Sequence, residues 1–214
     1  MNSINITFNN QLLTNLKTKN KMKKSVEIMD FKIRQILVPI RGISPLIVHN
    51  FDQKITMEME AKQQGKAKTE KHKIRVPESD FEGAKHKSPL GWDGFPAGGF
   101  KKALIRGAKM TGLVMKDAQM AFFVKADCEE TQLVRIDGEC RMRTDMVRVG
   151  MGSADVRYRP EYLNWSAKLQ IEYNEGLLSI DQLFQMIVAA GYGCGIGDWR
   201  PERGGGYGRF ELVK

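Results

Sequence analysis

At 214 residues and 42% hydrophobic content, the chain has the material for one well-buried domain. No apolar run in it approaches the roughly 20 residues that a bilayer-spanning helix needs. Thirty-four Lys and Arg against 25 Asp and Glu leave a formal charge of +9, the footprint of a polyanion binder. Cys128, Cys140 and Cys194 are odd in number and form no Cys-x-x-Cys pair, which argues against a disulfide framework and a structural zinc site.

Residues 1–29 are polar, rich in Asn and Lys, and without periodicity; a flexible arm is expected, with Met22 or Met29 as an alternative start. The lysines there have no apolar h-region beside them, so no secretory signal is read and a cytoplasmic location is expected. Residues 30–214 are expected to form a single domain. Phe31 to Ile40 has strand composition, but its alternation slips at Gln35, predicting a bulge or two buried faces. Gly42-Ile43-Ser44-Pro45 ends that strand. Residues 53–88 are dominated by Lys, Glu and Gln; they read either as a solvated insertion or as a loop that orders on nucleic acid, with a short helix over Ser79 to Lys87.

The turn-rich run Gly91 to Pro96 delivers the chain to a helix over Gly98 to Lys116. Its inner face is Phe100, Ala103, Leu104, Gly107, Ala108 and Thr111, with Lys102, Arg106 and Lys109 on the opposite stripe. At its start, Ala97-Gly98-Gly99 offers free N–H groups where the helix dipole favours a phosphate. Ala121 to Lys125 and Thr131 to Asp137 read as short strands. Residues 139–160 read as an extended ribbon that turns at Gly150-Met151-Gly152-Ser153 and carries Arg141, Arg143, Arg148, Arg157 and Arg159. Tyr162 to Tyr173 alternates cleanly, with Trp165, Ala167, Leu169, Ile171 and Tyr173 on one side.

Ser179 and Gln182 make a capping box, followed by a helix whose apolar face is Ile180, Leu183, Phe184, Ile187 and Val188, with Gly191 as its expected C′ residue. Eight of the twenty residues from Gly191 to Phe210 are glycine. Such a loop can bring backbone N–H groups close to an anion. Arg200, Arg203 and Arg209 add charge, and Trp199 and Tyr207 offer flat faces for a base or pack as ordinary core. Tyr207 to Val213 forms a terminal strand. The order of elements is β-α-β-β-α-β, so the fold class expected is α+β, ferredoxin-like, with a hairpin insertion.

Two runs carry a family resemblance. Gly195-Ile196-Gly197 with Arg203-Gly204-Gly205-Gly206-Tyr207-Gly208-Arg209-Phe210 resembles the C-terminal glycine-rich loop of the RAMP superfamily, the RNA-binding subunits of CRISPR effector complexes. Phe95-Pro96-Ala97-Gly98-Gly99-Phe100-Lys101-Lys102-Ala103-Leu104-Ile105-Arg106 resembles the run that opens the first helix of that family. The resemblance covers roughly residues 31–214 and implies an RRM-like core with a hairpin thumb at the arginine-bearing ribbon. It also implies binding of single-stranded RNA by subunits stacked head to tail. The family pattern is departed from at Gly197 to Arg203, where Asp198 and Glu202 would repel phosphate unless paired with Arg200 and Arg203. A stand-alone member encoded by a phage or mobile element fits as well as a subunit of an effector complex.

The residues expected to meet single-stranded RNA or DNA are Gly98, Gly99, Lys101, Lys102 and Arg106 of the helix, the five ribbon arginines, and Gly195, Gly197, Arg200, Arg203, Gly205, Gly206, Tyr207 and Arg209. Partners expected are the nucleic acid, further copies of the chain, and other effector-complex subunits. The three histidines fall at no metal-ligand spacing, and the glycine-rich loop follows a helix and precedes a strand, the reverse of a nucleotide-binding P-loop. No cofactor and no metal are expected. Two other functions stay open: a metal-independent endoribonuclease using His49 or Asp52, as the resemblance implies for the region after the first strand, and a self-assembling structural protein of virion type.

Overall fold

The computed structural model describes residues 31–50, 63–64, 76–149 and 153–213. The N-terminal arm, Asp52, most of the charged insertion that follows it, and residues 150–152, where the ribbon is expected to turn, lie outside the described residues. In chain order the elements are β1 (Ile33–Gly42), β2 (Leu46–Ile47), α1 (Pro77–Gly83), β3 (His86–Lys87), β4 (Asp93–Pro96), α2 (Ala97–Met110) and α3 (Met115–Ala121). There follow β5 (Phe122–Lys125), β6 (Leu133–Arg135), β7 (Asp137–Val149), β8 (Ser153–Asn174), α4 (Ile180–Ala189) and β9 (Phe210–Leu212). The fold is α+β with antiparallel sheets.

β8 is the axis of the main sheet. Its C-terminal half pairs with β1 from Arg41↔Ser166 to Ile33↔Asn174, and the same residues bond β5 through Phe122↔Tyr173 to Lys125↔Gln170 on the other edge. β9 adds to the free side of β1. The N-terminal half of β8 pairs with β7 to form the ribbon, and β2 joins it at Glu161 and Tyr162. The expected ribbon and the following strand are therefore one 22-residue element, because nothing between Arg159 and Tyr162 interrupts the ladder. A second sheet, β3-β4-β6, is antiparallel as well.

β1 contains no bulge: its register with β8 is unbroken. Val38 and Ile40 are buried while Ile33 and Leu37 are exposed. The apparent slip arose because the outward set also contains apolar side chains. On the inner face of β8, Trp165, Ala167, Leu169, Ile171 and Tyr173 are buried as the alternation requires. They meet Phe100, Ala103, Leu104, Gly107 and Ala108 of α2 and Leu183, Met186 and Ile187 of α4. Trp165 is 1% exposed, donates its indole N–H to the Ser44 carbonyl at 2.8 Å and meets Phe210 edge-on at 6.2 Å.

The helix expected over Gly98 to Lys116 ends at Met110; a turn at Thr111 and Gly112 separates it from α3. The capping box of α4 is present in both directions, Gln182 N–H to Ser179 Oγ at 3.2 Å and Ser179 N–H to Gln182 Oε1 at 3.0 Å. Gly191 does not end this helix. A π turn continues it over Ala190–Cys194 and stops at Gly195, whose φ of 66° is a left-handed value that favours glycine. Gly191 serves packing instead: a Cβ there would collide with the Phe210 carbonyl of β9. No helix among the described residues is long and apolar enough to cross a membrane.

Candidate nucleic-acid interface

The first turn of α2 leaves the N–H groups of Gly98 and Gly99 without intrahelical partners, while the Ala97 N–H is taken by the Gln132 carbonyl at 2.9 Å. The glycine-rich loop is more self-satisfied than its composition implies. The N–H groups of Gly195, Ile196, Asp198, Gly205, Tyr207 and Gly208 donate to Ala190, Gly208, Ile47, Arg200, Trp199 and Pro45 carbonyls in turn, and Arg209 donates to Ser44 Oγ. Gly197 and Gly206 keep their N–H groups without a backbone partner among the described residues. Glycine here lets the chain fold back on itself as much as it bares donors.

Gly99 of the helix start and Gly195 to Asp198 of the loop line one cleft of about 270 Å³, together with His49, His86, Lys102, Arg200 and Glu202; Gly98, Arg106, Arg203, Gly205, Gly206, Tyr207 and Arg209 do not line it. The loop acids are neutralised, Glu202 by the expected Arg200 and by Arg106 as well, Asp198 by the ribbon instead of by Arg200 or Arg203. Asp198 accepts from Arg159 at 2.7 Å. Glu202 pairs with Arg200 at 3.0 Å and with Arg106 at 3.0 Å. Arg200 also donates to the Gly197 carbonyl at 3.0 Å, which holds its guanidinium against the loop. Lys102 and Arg203 are exposed and make no ion pair with the described residues, so both are available to an anion.

The ribbon arginines behave differently. Arg159 is 2% exposed and lies between Asp198 and Asp145, the latter at 2.6 Å. Asp145 also accepts from Arg143 at 2.9 Å; Arg143 reaches Glu161 at 2.9 Å, and Glu161 is held by Arg141 at 2.6 Å. The result is an alternating ladder along one face of the ribbon, anchored at one end in the glycine-rich loop. Arg143 stands 5.0 Å from the Tyr207 ring centroid and 5.6 Å from that of Trp199, over which Arg159 stands at 5.2 Å. Arg157 pairs with Asp155 at 3.6 Å, and Arg148 is exposed. Lys101 stands over the Phe123 ring at 4.0 Å and does not line the cleft, and Arg209 stacks on Tyr192 at 5.2 Å.

His86 is the cleft residue that sequence reasoning missed. It lies in the charged insertion with no spacing relation to His49, and only the pairing of β3 with β4 carries it to the cleft. Burial holds both imidazoles below the ordinary histidine value. For His49, Asp198 opposes that shift, whereas Arg157 and Arg159 reinforce it; for His86, the nearby His49 adds to it. No group of three His, Cys, Asp or Glu side chains among the described residues is placed to hold a metal.

No family model matches the chain, and no curated protein matches its sequence. Among solved structures, the crystal structure of Cmr6 from Pyrococcus furiosus is similar to it at a TM-score of 0.41 and 11% identity, over 86% of this chain and 100% of that one.

Proposed function

We propose that the chain binds single-stranded RNA, or single-stranded nucleic acid generally, through its sugar–phosphate backbone, as a RAMP-like subunit with a ferredoxin-like core over residues 30–214. The observation that carries this reading is the convergence of Gly99 at the start of α2 and Gly195 to Gly197 of the glycine-rich loop on one cleft that Lys102 lines with no carboxylate partner among the described residues. Free helix-start N–H groups and lysine or arginine are the donors that phosphate oxygens take up. The loop acids, which would repel phosphate, are already spent on Arg159, Arg200 and Arg106. The pairing of β9 with β1, β1 with β8 and β8 with β5, with α2 and α4 packed on the sheet core, supports the ferredoxin-like reading. In the assembly proposed, copies stack head to tail along the strand.

Fluorescence anisotropy with labelled oligouridylate, oligoadenylate and their DNA counterparts tests the reading. Binding should occur at low salt, depend little on sequence, and weaken as salt rises, with a slope of about −0.7 for each phosphate neutralised. Absence of binding to every strand at low salt would overturn it. Assembly of the protein without nucleic acid, combined with that result, would favour the structural alternative.

A further inference from the structure

The chain has two tryptophans of opposite character in its C-terminal half. Trp165 does what a packing tryptophan does: it is 1% exposed and its indole N–H is hydrogen-bonded. Trp199 is 42% exposed, and its indole N–H makes no hydrogen bond among the described residues. Its φ is 51°, a left-handed value that costs a bulky residue free energy. A ring that merely filled space would not need that backbone.

The surroundings hold Trp199 in place on both sides. Its carbonyl accepts from the Tyr207 N–H at 3.1 Å, and the preceding Asp198 N–H donates to Ile47 at 2.8 Å. The Asp198 carboxylate is bound to buried Arg159. Around the ring stand Arg143 and Arg159, with Tyr207 tilted at 51° and 6.1 Å. Those guanidiniums are fixed by the carboxylate ladder, so ring and cations are set before any ligand arrives. The residues on either side of Trp199, Asp198 and Arg200, both line the phosphate cleft.

Resting on the proposed binding of a single strand, we infer that Trp199 is a stacking platform for one unpaired nucleobase of the strand whose phosphate occupies the cleft. The base is chosen as occupant because the ring adjoins a cleft suited to an anion on a chain of charge +9, and every nucleobase offers a planar face to such a ring. Arg143 and Arg159 are then positioning residues: they act through the ring and touch no ligand themselves. Binding at this point has two separable parts, a charge part that salt weakens and a stacking part that it does not.

The test compares oligoadenylate with an all-abasic ribose-phosphate strand of the same length, which keeps the charge and lacks the bases. Wild-type protein should prefer oligoadenylate by about five- to 150-fold, the range set by stacking one base, and the ratio should hold as salt lowers both affinities. Trp199→Ala should bring the ratio close to one; Trp199→Phe should keep part of the preference. Oligoadenylate should also quench indole fluorescence in the wild type more than in Trp199→Phe. Equal binding of both strands by the wild type overturns the inference and leaves backbone binding intact. A preference that survives Trp199→Ala overturns it by placing the stacking elsewhere, and failure to bind either strand overturns both readings.

Discussion

The Arg159 guanidinium of the ribbon and the Asp198 carboxylate of the glycine-rich loop meet at 2.7 Å, with Arg159 almost wholly buried and Asp198 still 39% exposed in its side chain. One ion pair thus ties the long strand to the loop that lines the cleft. Its other face is secured by Asp145, itself buried. Removing Arg159 would leave Asp145 and Asp198 short of a partner. Arg159→Ala is expected to cost about 3–5 kcal/mol in urea denaturation, the range for breaking a buried pair from one side. Asp198→Asn should cost less, because its site is partly solvated and the amide oxygen still accepts; equal midpoints for Arg159→Ala and wild type would refute the ladder's structural role.

Trp165 joins β8 to the β1–β2 link through its bond to Ser44 and to β9 through Phe210. Trp165→Ala is expected to destabilise by about 3–5 kcal/mol, the usual range for emptying a large aromatic site. Trp165→Phe retains much of the apolar volume and should lose less. Thermal unfolding of the two variants side by side gives the order.

Gly191→Ala places a methyl group against the Phe210 carbonyl. Backbone cannot yield there as a flexible side chain would, so a loss of about 1–3 kcal/mol is expected for overpacking. Protection of the β9 amides in hydrogen exchange should fall with it. Unchanged protection would mean that the π turn and β9 do not depend on their close approach.

Stability should depend on pH through the cleft histidines. Both are held below the ordinary value of 6.5 by burial, so the unfolded chain takes up protons that the folded chain refuses. Their contribution is complete above about pH 6.5 and is lost as pH falls from there toward the depressed folded values. Between about pH 7 and pH 5 the melting temperature should drop, and His49→Gln/His86→Gln should flatten that part of the profile. A double variant with the wild-type slope would show that other groups govern it.

Lys102 faces the cleft without a carboxylate partner among the described residues. If it neutralises one phosphate, Lys102→Ala should weaken binding to every strand alike and make the salt slope shallower by about 0.7. The melting temperature should stay close to that of the wild type, since an exposed lysine contributes little to folding.

Local chemistry was legible from the chain wherever one residue's neighbours in sequence are also its neighbours in space. The Ser179 capping box, the alternation of Trp165 to Tyr173 and the inner face of α2 from Phe100 to Ala108 follow from hydrogen-bond reach and from the 2.0 and 3.6 residue periods, and the structure repeats them, though Thr111, expected on that face, lies beyond the end of the helix. Element ends were less legible. Gly191 reads as a helix stop, but packing of the π turn against β9 carries the helix on to Gly195.

Which charges remain available was settled by folding. Composition supplied nine excess positive charges, and the family resemblance together with their charge marked every ribbon arginine as a contact for nucleic acid. Folding set Arg141, Arg143 and Arg159 against Glu161, Asp145 and Asp198, residues whose proximity depends on a strand register and on a loop returning from far along the chain. It likewise brought His86 to the cleft beside His49. A sequence lists charges one by one; their pairing falls off within a few ångströms, and distances on that scale are set by long-range contacts.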